Sequence, residues 1–206
     1  MNNKVNIAVL VSGGGTNLQA LINAQKSGII TSGEIKLVVS SNKNAYALKR
    51  AENAGIKTAV CDRKGFSQKE FEENILNALG KEEIEVIVLA GFMSILSVDF
   101  VKRYPERIIN VHPSLIPSFC GEGFYGLRVH KAALDYGVKV TGATVHFVNE
   151  IPDGGRIIMQ KAVEINENDT PEILQKRVME NAEWIILPAA AEKVCKEIKE
   201  RKNERI

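Results

Sequence analysis

Short runs of apolar residues alternate with stretches of helical period along most of this chain. Runs of this kind are typical of strands buried on both faces, and their alternation with helices is typical of βαβ units that build a parallel sheet. The last two runs flank Pro152-Asp153-Gly154, a strong turn signal, and so predict an antiparallel hairpin. The predicted fold class is α/β, with a doubly wound, mostly parallel sheet that ends in this C-terminal hairpin. The predicted strands are residues 5–11, 35–40, 57–61, 86–90, 108–112, 140–148 and 156–165.

Local signals mark where two helices begin and where one is interrupted. Ser67 and Glu70 form a capping-box signature, and Thr170 followed by Pro171 predicts a second helix start. Pro188 is expected to break or kink the C-terminal helix, because its ring removes a hydrogen-bond donor. We find no repeat, low-complexity segment or linker, so the pattern predicts a single domain over residues 1–206.

Composition narrows the classes of function. The 27 Lys and Arg residues against 25 Asp and Glu leave a net charge of +2, without the strongly basic surface of a nucleic-acid-binding protein. No apolar run approaches the ~20 residues that a membrane helix needs. Cys61, Cys120 and Cys195 form no C-x-x-C pair, which argues against a zinc site and fits a reducing compartment. We therefore expect a cytoplasmic protein that binds no metal, membrane or nucleic acid.

A glycine-rich loop, residues 12–17, follows the first predicted strand and opens a helix. Backbone N–H groups at such a helix start favour an anion. The loop lacks the Gly-Lys-Ser/Thr ending of a Walker A motif, and Leu18 stands where a dinucleotide-binding fingerprint has its third glycine. The second strand also ends without an acidic residue for a ribose. The loop predicts a monophosphate site, although glycines here also suit a simple tight turn.

Asn110 and His112 lie at the carboxyl end of the fifth predicted strand, where ligands bind in open α/β sheets. Because they are two residues apart, their side chains point to the same face. An amide donor and an imidazole can together hold a developing oxyanion and handle its proton, and Asp153 offers a carboxylate. Each residue also has a structural interpretation: His112 as a satisfied strand-end residue and Asp153 as part of its turn.

Three other reactive side chains are assigned no chemistry. His130 lies on a predicted helix and His146 within a predicted strand, and both are interpreted as packing or surface residues. Cys120 has no local signature of an activated thiolate, so a nucleophilic role is not favoured.

Several segments, taken in order, resemble the folate-dependent phosphoribosylglycinamide (GAR) formyltransferases. The resemblance is collinear from about residue 6 to residue 188, and its order and spacing are more specific than any single motif. It implies a Rossmann-like N-terminal half, about 1–105, for the substrate phosphate, and a C-terminal half, about 106–206, for folate and catalysis. The segments that carry it are residues 12–20, 90–97, 110–115, 142–148 and 153–155.

The resemblance also implies roles for individual residues. Asn110, His112 and Asp153 match the catalytic trio of the family. The cosubstrate would be 10-formyltetrahydrofolate and the acceptor GAR, without a metal, in a monomer or homodimer. The residues implied for the substrate phosphate and ribose are Gly15, Thr16, Asn17 and Glu183. Those implied for the folate site are Leu89, Met93, Ile95, Leu96, Val101, Ile108, Asn149, Glu150, Ile151, Pro152 and Lys69.

The implied chemistry is direct formyl transfer without a covalent enzyme intermediate. The amine of GAR would attack the formyl carbon, and Asn110 and protonated His112 would stabilise the tetrahedral oxyanion. Asp153 would keep His112 charged and relay the proton that leaves the amine, through water.

Three departures from the family pattern affect the site. The loop 119–126 is longer than in the family, so no substrate contacts are assigned to it. Lys69 stands where an Arg usually meets the folate glutamate tail, and it cannot form a bidentate pair. One extra residue lies before Glu183, which leaves either Met179 or Glu180 in the position of its usual polar neighbour.

Other functions stay open at this point. A 10-formyltetrahydrofolate hydrolase or a methionyl-tRNA formyltransferase would use the same Asn, His and Asp, but such enzymes carry an additional domain, and a chain of 206 residues does not favour them. A noncatalytic sensor of a phosphate ligand could share the fold, because a fold does not determine function. Such a sensor would leave the three catalytic candidates unexplained.

Overall fold

The computed structural model describes residues 4–204, which form a seven-stranded sheet with helices on both faces. The strand order is β3-β2-β1-β4-β5-β6-β7. The strands are β1 (Val5–Val11), β2 (Gly33–Ser40), β3 (Lys57–Val60), β4 (Val86–Leu89), β5 (Ile108–His112), β6 (Val140–Phe147) and β7 (Ile157–Glu164). The helices are α1 (Thr16–Ser27), α2 (Tyr46–Asn53), α3 (Gln68–Lys81), α4 (Val98–Lys102), α5 (Leu127–Tyr136), α6 (Pro171–Val178) and α7 (Trp184–Asn203).

The pairing directions confirm the predicted fold class. Strands β1 to β5 pair in parallel, whereas β6 runs antiparallel to β5 and β7 antiparallel to β6. All the predicted strands are present, and β2 begins two residues earlier than predicted, at Gly33. A Cβ at Gly33 would lie 2.5 Å from Cδ1 of Ile7 and 2.8 Å from Sγ of Cys195, so a side chain there would force these buried side chains to move. The parallel order brings the carboxyl ends of β1, β4 and β5 to one edge of the sheet.

Two apolar layers enclose the sheet. On one face, Leu18 of α1 and Leu187 of α7 belong to one buried cluster, and on the other face Phe71 and Ile75 of α3 belong to a second. Every residue of β1 except Asn6 is almost fully buried. This explains why the sequence of β1 is a continuous apolar run and not an alternating one. No helix within residues 4–204 is long and apolar enough to cross a membrane.

The predicted break at Pro188 is wrong. Helix α7 continues through Pro188, and the irregular turn precedes it, where residues Met179–Glu183 are π-helical. A proline inside a helix sets its ring against the carbonyl four residues earlier, which here belongs to Trp184, directly after the π turn. A π turn inserts one residue into the helical path. The helix is therefore distorted in the turn before the proline, and the regular α-helix resumes from Trp184.

Two glycines of the β6–β7 hairpin leave no room for a side chain. A Cβ at Gly155 would lie 1.7 Å from the carbonyl oxygen of Phe147, and one at Gly142 would lie 2.0 Å from that of Lys161. Both neighbours are backbone atoms, which cannot rotate away as a flexible side chain can. The close pairing of the hairpin therefore depends on glycine at these positions.

His130 on α5 is a packing residue, one of the two roles considered for it from the sequence. Its side chain is almost fully buried, and within residues 4–204 neither ring nitrogen has a hydrogen-bond partner. Burial, with a smaller contribution from His112, lowers the pKa of His130 to about 4. The folded chain therefore keeps this ring neutral in a pH range where an exposed histidine is charged.

We expect Gly155→Ala to lower the free energy of unfolding by at least about 2 kcal/mol, because the added methyl group would overlap a backbone oxygen. Gly80→Ala is the matched control: Gly80 lies within α3, and an added Cβ would have nothing within 4 Å. This control should be neutral or stabilising by up to about 1 kcal/mol, since alanine favours a helix. Urea unfolding measures both, and equal stabilities would contradict the packing described.

Folding stability should fall as the pH falls from 6.5 toward 4. In that window the unfolded chain binds a proton at His130 that the folded chain does not bind until about pH 4, so stability is lost with decreasing pH. The loss attributable to this side chain is about 3 kcal/mol over the whole window. Urea unfolding of wild type and His130→Leu across this range should show a shallower decline for the variant. Parallel curves would rule out the assignment.

Candidate active site

The polar residues predicted from the sequence collect where the carboxyl end of β5 meets the β6–β7 turn. Antiparallel pairing sets Asn110 of β5 opposite His146 of β6, and His112 opposite Thr144. Asp153 lies in the turn between β6 and β7, within 3.5 Å of both histidines. The structure thus brings Asn110, His112 and Asp153 together, and it adds His146 to them.

His112 is buried, with an oxygen next to each ring nitrogen. Its Nε2 lies 2.8 Å from the carbonyl oxygen of Phe119, and its Nδ1 lies 3.4 Å from Oδ2 of Asp153. Burial lowers the pKa of His112, while Asp153 and the Phe119 carbonyl act in the opposite direction. In this conformation the ring is mostly neutral at pH 7, and both neighbours would stabilise a second proton on it.

Asp153 is held between two histidines and a backbone donor. The Gly121 N–H donates to its Oδ2 at 2.9 Å, and its Oδ1 lies 3.5 Å from Nε2 of His146. Its φ of 55° is a left-handed conformation that Asp tolerates better than most residues. Burial alone would raise the pKa of Asp153, but His146, His112 and the Gly121 N–H together lower it below the ordinary value. The carboxylate is therefore ionised at neutral pH.

His146 is not the packing or surface residue that the sequence suggested. Its Nδ1 lies 2.8 Å from the carbonyl oxygen of Phe147, which can only accept, so this nitrogen carries the proton in the neutral ring. Its Nε2 then accepts from Nδ2 of Asn110 at 3.3 Å. A signal was present in the sequence: an imidazole between the buried strand residues Val145 and Phe147 needs a polar partner.

The loop 119–126, to which the sequence assigned no contacts, completes this group through its backbone. The Phe119 carbonyl faces His112, and the Gly121 N–H faces Asp153. Cys120, between them, donates its S–H to the Pro117 carbonyl, and burial raises its thiol pKa. The contacts with His112 and Asp153 are made by backbone groups, so no residue type in the sequence could indicate them.

The glycine-rich loop connects β1 to α1, as predicted. Gly15 has a φ of 73°, and a Cβ there would lie 2.6 Å from that of Ala47, so glycine is required. The Arg50 side chain donates from Nε to the Gly14 carbonyl at 2.8 Å. In the described chain no side chain caps α1, and its first turn, from Thr16, holds no acidic residue. Its first N–H groups therefore suit an anion.

The two residues after Gly15 reach the π turn that precedes α7. Asn17 donates from Nδ2 to Oε2 of Glu183 at 2.7 Å, and the Thr16 hydroxyl lies 3.8 Å from Sδ of Met179. The π turn directs Met179 to the loop, while Glu180 is exposed. Burial raises the pKa of Glu183, an effect that the Asn17 amide opposes.

The residues assigned to the folate site form a buried group and an exposed group. Leu89, Val101 and Ile108 are buried in the apolar layer beside α3. Except for Lys69, which lies on α3, the others lie on two loops, one after β4 and one after β6, the two strands on either side of β5. The exposed or half-buried members on these loops are Met93, Ile95, Leu96, Asn149, Glu150, Ile151 and Pro152.

Lys69 lies on the solvent-facing side of α3, where its Nζ is 4.0 Å from Oε1 of Glu73. The α3 residue that contacts the loop after β4 is Gln68, whose Nε2 donates to the Ile95 carbonyl at 3.0 Å. The contact of Lys69 with a folate tail stays a prediction. Within residues 4–204, no cluster of three or more His, Cys, Asp or Glu side chains is arranged to hold a metal ion.

The chain is similar to known proteins over most of its length. Residues 5–190 match the formyl transferase family. The chain is 49% identical over 94% of its length to the trifunctional purine biosynthetic protein adenosine-3 of Gallus gallus, of which it spans only 19%. It is 43% identical over 88% of its length to the phosphoribosylglycinamide formyltransferase of Haemophilus influenzae, of which it covers 83%.

The fold agrees with solved structures as well. The crystal structure of glycinamide ribonucleotide transformylase 1 from Symbiobacterium toebii superposes with a TM-score of 0.88 at 36% identity, covering 96% of this chain and 90% of that one. The chain therefore belongs to the formyl transferase family and, within it, to the phosphoribosylglycinamide formyltransferases.

Proposed function

We propose that this chain transfers the formyl group of 10-formyltetrahydrofolate to the amine of GAR, a step of purine biosynthesis. The observation that carries the proposal is the convergence of Asn110, His112 and Asp153 at one edge of the sheet, with the glycine-rich loop at the same edge. Membership of the formyl transferase family supports the reaction class. The names of two relatives, which include purine biosynthesis and GAR formyl transfer, support the substrate.

The reaction forms one bond and breaks another at the formyl carbon. The amine nitrogen attacks this carbon, and the electrons of the C=O bond move to oxygen to give a tetrahedral oxyanion. The carbonyl re-forms as the bond to the folate nitrogen breaks. One proton leaves the amine and one arrives on the departing nitrogen. The site must therefore stabilise an oxyanion and transfer a proton.

Asn110 and His112 supply the contacts for the oxyanion in this proposal. One N–H of the Asn110 amide is accepted by His146, which leaves the second N–H of the same group for the substrate oxygen. The Nε2 of His112 now donates to Phe119, so the oxyanion would replace that carbonyl as its partner. A negative charge next to the ring raises its proton affinity, which offsets the effect of burial.

In this proposal Asp153 stabilises the charged ring of His112 and transfers the proton. Its pKa lies below the ordinary value, so it is ionised before the reaction. As the oxyanion forms, the His112 ring takes up a proton from solvent, and the carboxylate, 3.4 Å from Nδ1, stabilises the resulting imidazolium. Through water, the same carboxylate would accept the proton that leaves the amine and return it to the departing folate nitrogen.

The substrate phosphate would bind at the start of α1. Gly15, Thr16 and Asn17 present the first N–H groups of that helix, and the helix dipole favours a doubly charged anion there. Glu183, held by Asn17, would face the ribose hydroxyls.

The experiment that tests the function follows deformylation of 10-formyltetrahydrofolate, or of its 5,8-dideaza analogue, by absorbance. We expect deformylation only when GAR is present. Release of formate without an amine would instead establish a hydrolase, and binding of both ligands without turnover would establish a sensor.

Asp153→Asn should keep the fold and both binding sites but lower kcat at least about 100-fold, because the carboxylate no longer stabilises the charged ring or accepts a proton. Steady-state kinetics with GAR and the folate donor measures this. Asp135→Asn, an exposed carboxylate of α5 paired with Lys131, is the matched control and should retain wild-type rates. Near-normal turnover of Asp153→Asn would refute the role.

His146→Leu should lower kcat about tenfold with little change in either KM, because the Asn110 amide loses the acceptor that orients it. In an Asn110→Ala background the same change should cost little more, since the two residues act as one unit. His146→Gln, which keeps an acceptor near the Nε2 position, should lose less. Additive losses in the double variant would show that His146 does not act through Asn110.

A further inference from the structure

Glu72 is a buried carboxylate that the proposed mechanism does not use. It lies on α3 with only 6% of its surface exposed. Its Oε1 accepts from Nε2 of Gln68 at 2.6 Å and from the backbone N–H of Ser97 at 2.5 Å, and its Oε2 accepts from the Ser97 hydroxyl at 2.5 Å. A buried carboxylate is costly unless donors surround it, and these three supply that compensation.

Gln68 extends the network to the backbone of the loop after β4. The guanidinium of Arg63 donates to its Oε1 at 3.2 Å, which fixes the orientation of the amide. The Nε2 of Gln68 consequently faces Glu72 and also donates to the Ile95 carbonyl at 3.0 Å. Two consecutive turns of α3 thus hold the loop at residues 95 and 97.

The loop between β4 and α4, residues 91–97, depends on such contacts because its central apolar side chains bury little surface. Met93 is 60% exposed and Ile95 is 75% exposed. At the other end of the loop the Met93 N–H donates to the Ser12 hydroxyl at 2.9 Å. Phe92 anchors the base of the loop by stacking on Phe71, with ring centroids 6.3 Å apart. Apart from Leu96, which is half-buried against the same apolar layer, polar contacts therefore hold the backbone beyond that base.

Ser97 links the same carboxylate to α4. Its hydroxyl accepts from the Phe100 N–H at 3.2 Å and so caps the helix, while it donates to Glu72. Helix α4 carries Val101, one of the buried residues assigned to the folate site. Through Ser97, Glu72 therefore holds both the loop that carries the exposed folate-site residues and the helix that carries the buried residue Val101.

We infer that Glu72 is a positioning residue for the folate donor, which holds loop 91–97 and the start of α4 in the shape that binds the donor. This inference rests on the proposed function. Glu72 touches none of Asn110, His112, His146 and Asp153, and its network holds the loop at residues 95 and 97, not at the end where Met93 meets Ser12 of the glycine-rich loop. It therefore sets the affinity for the donor and not the rate of formyl transfer or the affinity for GAR.

The test uses Glu72→Gln in the full chain. The glutamine removes the negative charge that strengthens all three hydrogen bonds, and it presents an NH₂ group where the Ser97 hydroxyl now finds an acceptor, so the network is weakened. We expect KM for 10-formyltetrahydrofolate to rise about tenfold, about 1.4 kcal/mol, with kcat and KM for GAR within about twofold of wild type. The Kd of 10-formyl-5,8-dideazafolate, measured by titration without GAR, should rise by the same factor.

Two further variants keep the result interpretable. Ser97→Ala removes the hydroxyl that donates to Glu72, and so breaks the same contact from the loop side. It should reproduce the selective loss if Glu72→Gln does not fold. Glu52→Gln, at an exposed carboxylate of α2 paired with Lys49, should behave like wild type. An unchanged donor KM in both site variants, or equal losses for donor and GAR, would overturn the inference. Failure of the wild type to bind the folate at all would instead reject the proposed function.

Discussion

The arrangement of the active site depends on one buried carboxylate. The side chain of Asp153 is 13% exposed, and such a charge is stable only when donors or positive charge surround it. The Gly121 N–H, from the loop that follows β5, donates to it, and His112 of β5 and His146 of β6 lie within 3.5 Å, where a protonated imidazole would supply positive charge. The antiparallel pairing of β5 with β6 and the β6–β7 turn must both form before these groups meet. The geometry of the candidate site is therefore a consequence of how the sheet ends.

Part of this site follows from the sequence because it depends on local rules. Asn110 and His112 share a face because a strand has a period of two, and the position of β5 in a parallel sheet sets them at the ligand-binding edge. The sequence allowed two interpretations of Asp153, as a turn residue and as a catalytic carboxylate. The two are compatible, because its left-handed backbone in the turn points the side chain toward the histidines. His146 was missed because periodicity gives the face of a residue, and only strand register gives its partner.

The helical region shows a second limit of local rules. The helix-breaking property of proline predicted a break or kink at Pro188, but helix α7 is not broken there, because the cost of a proline depends on the turn before it, and that turn is π-helical. From the same π turn, Glu183 reaches Asn17 at the start of α1, and Met179 reaches Thr16. One irregular turn thus both precedes the proline and contacts the glycine-rich loop.

The fold and the site are stabilised by different interactions, and this separates their responses to substitution. Apolar burial on both faces fixes the sheet, and such burial is shared among many side chains. The loops at the functional edge are held by a few polar contacts: Glu72 to Ser97, Asn17 to Glu183 and Gly121 to Asp153. Each contact joins elements distant in sequence. Loss of one such contact should therefore change binding or turnover before it changes the fold.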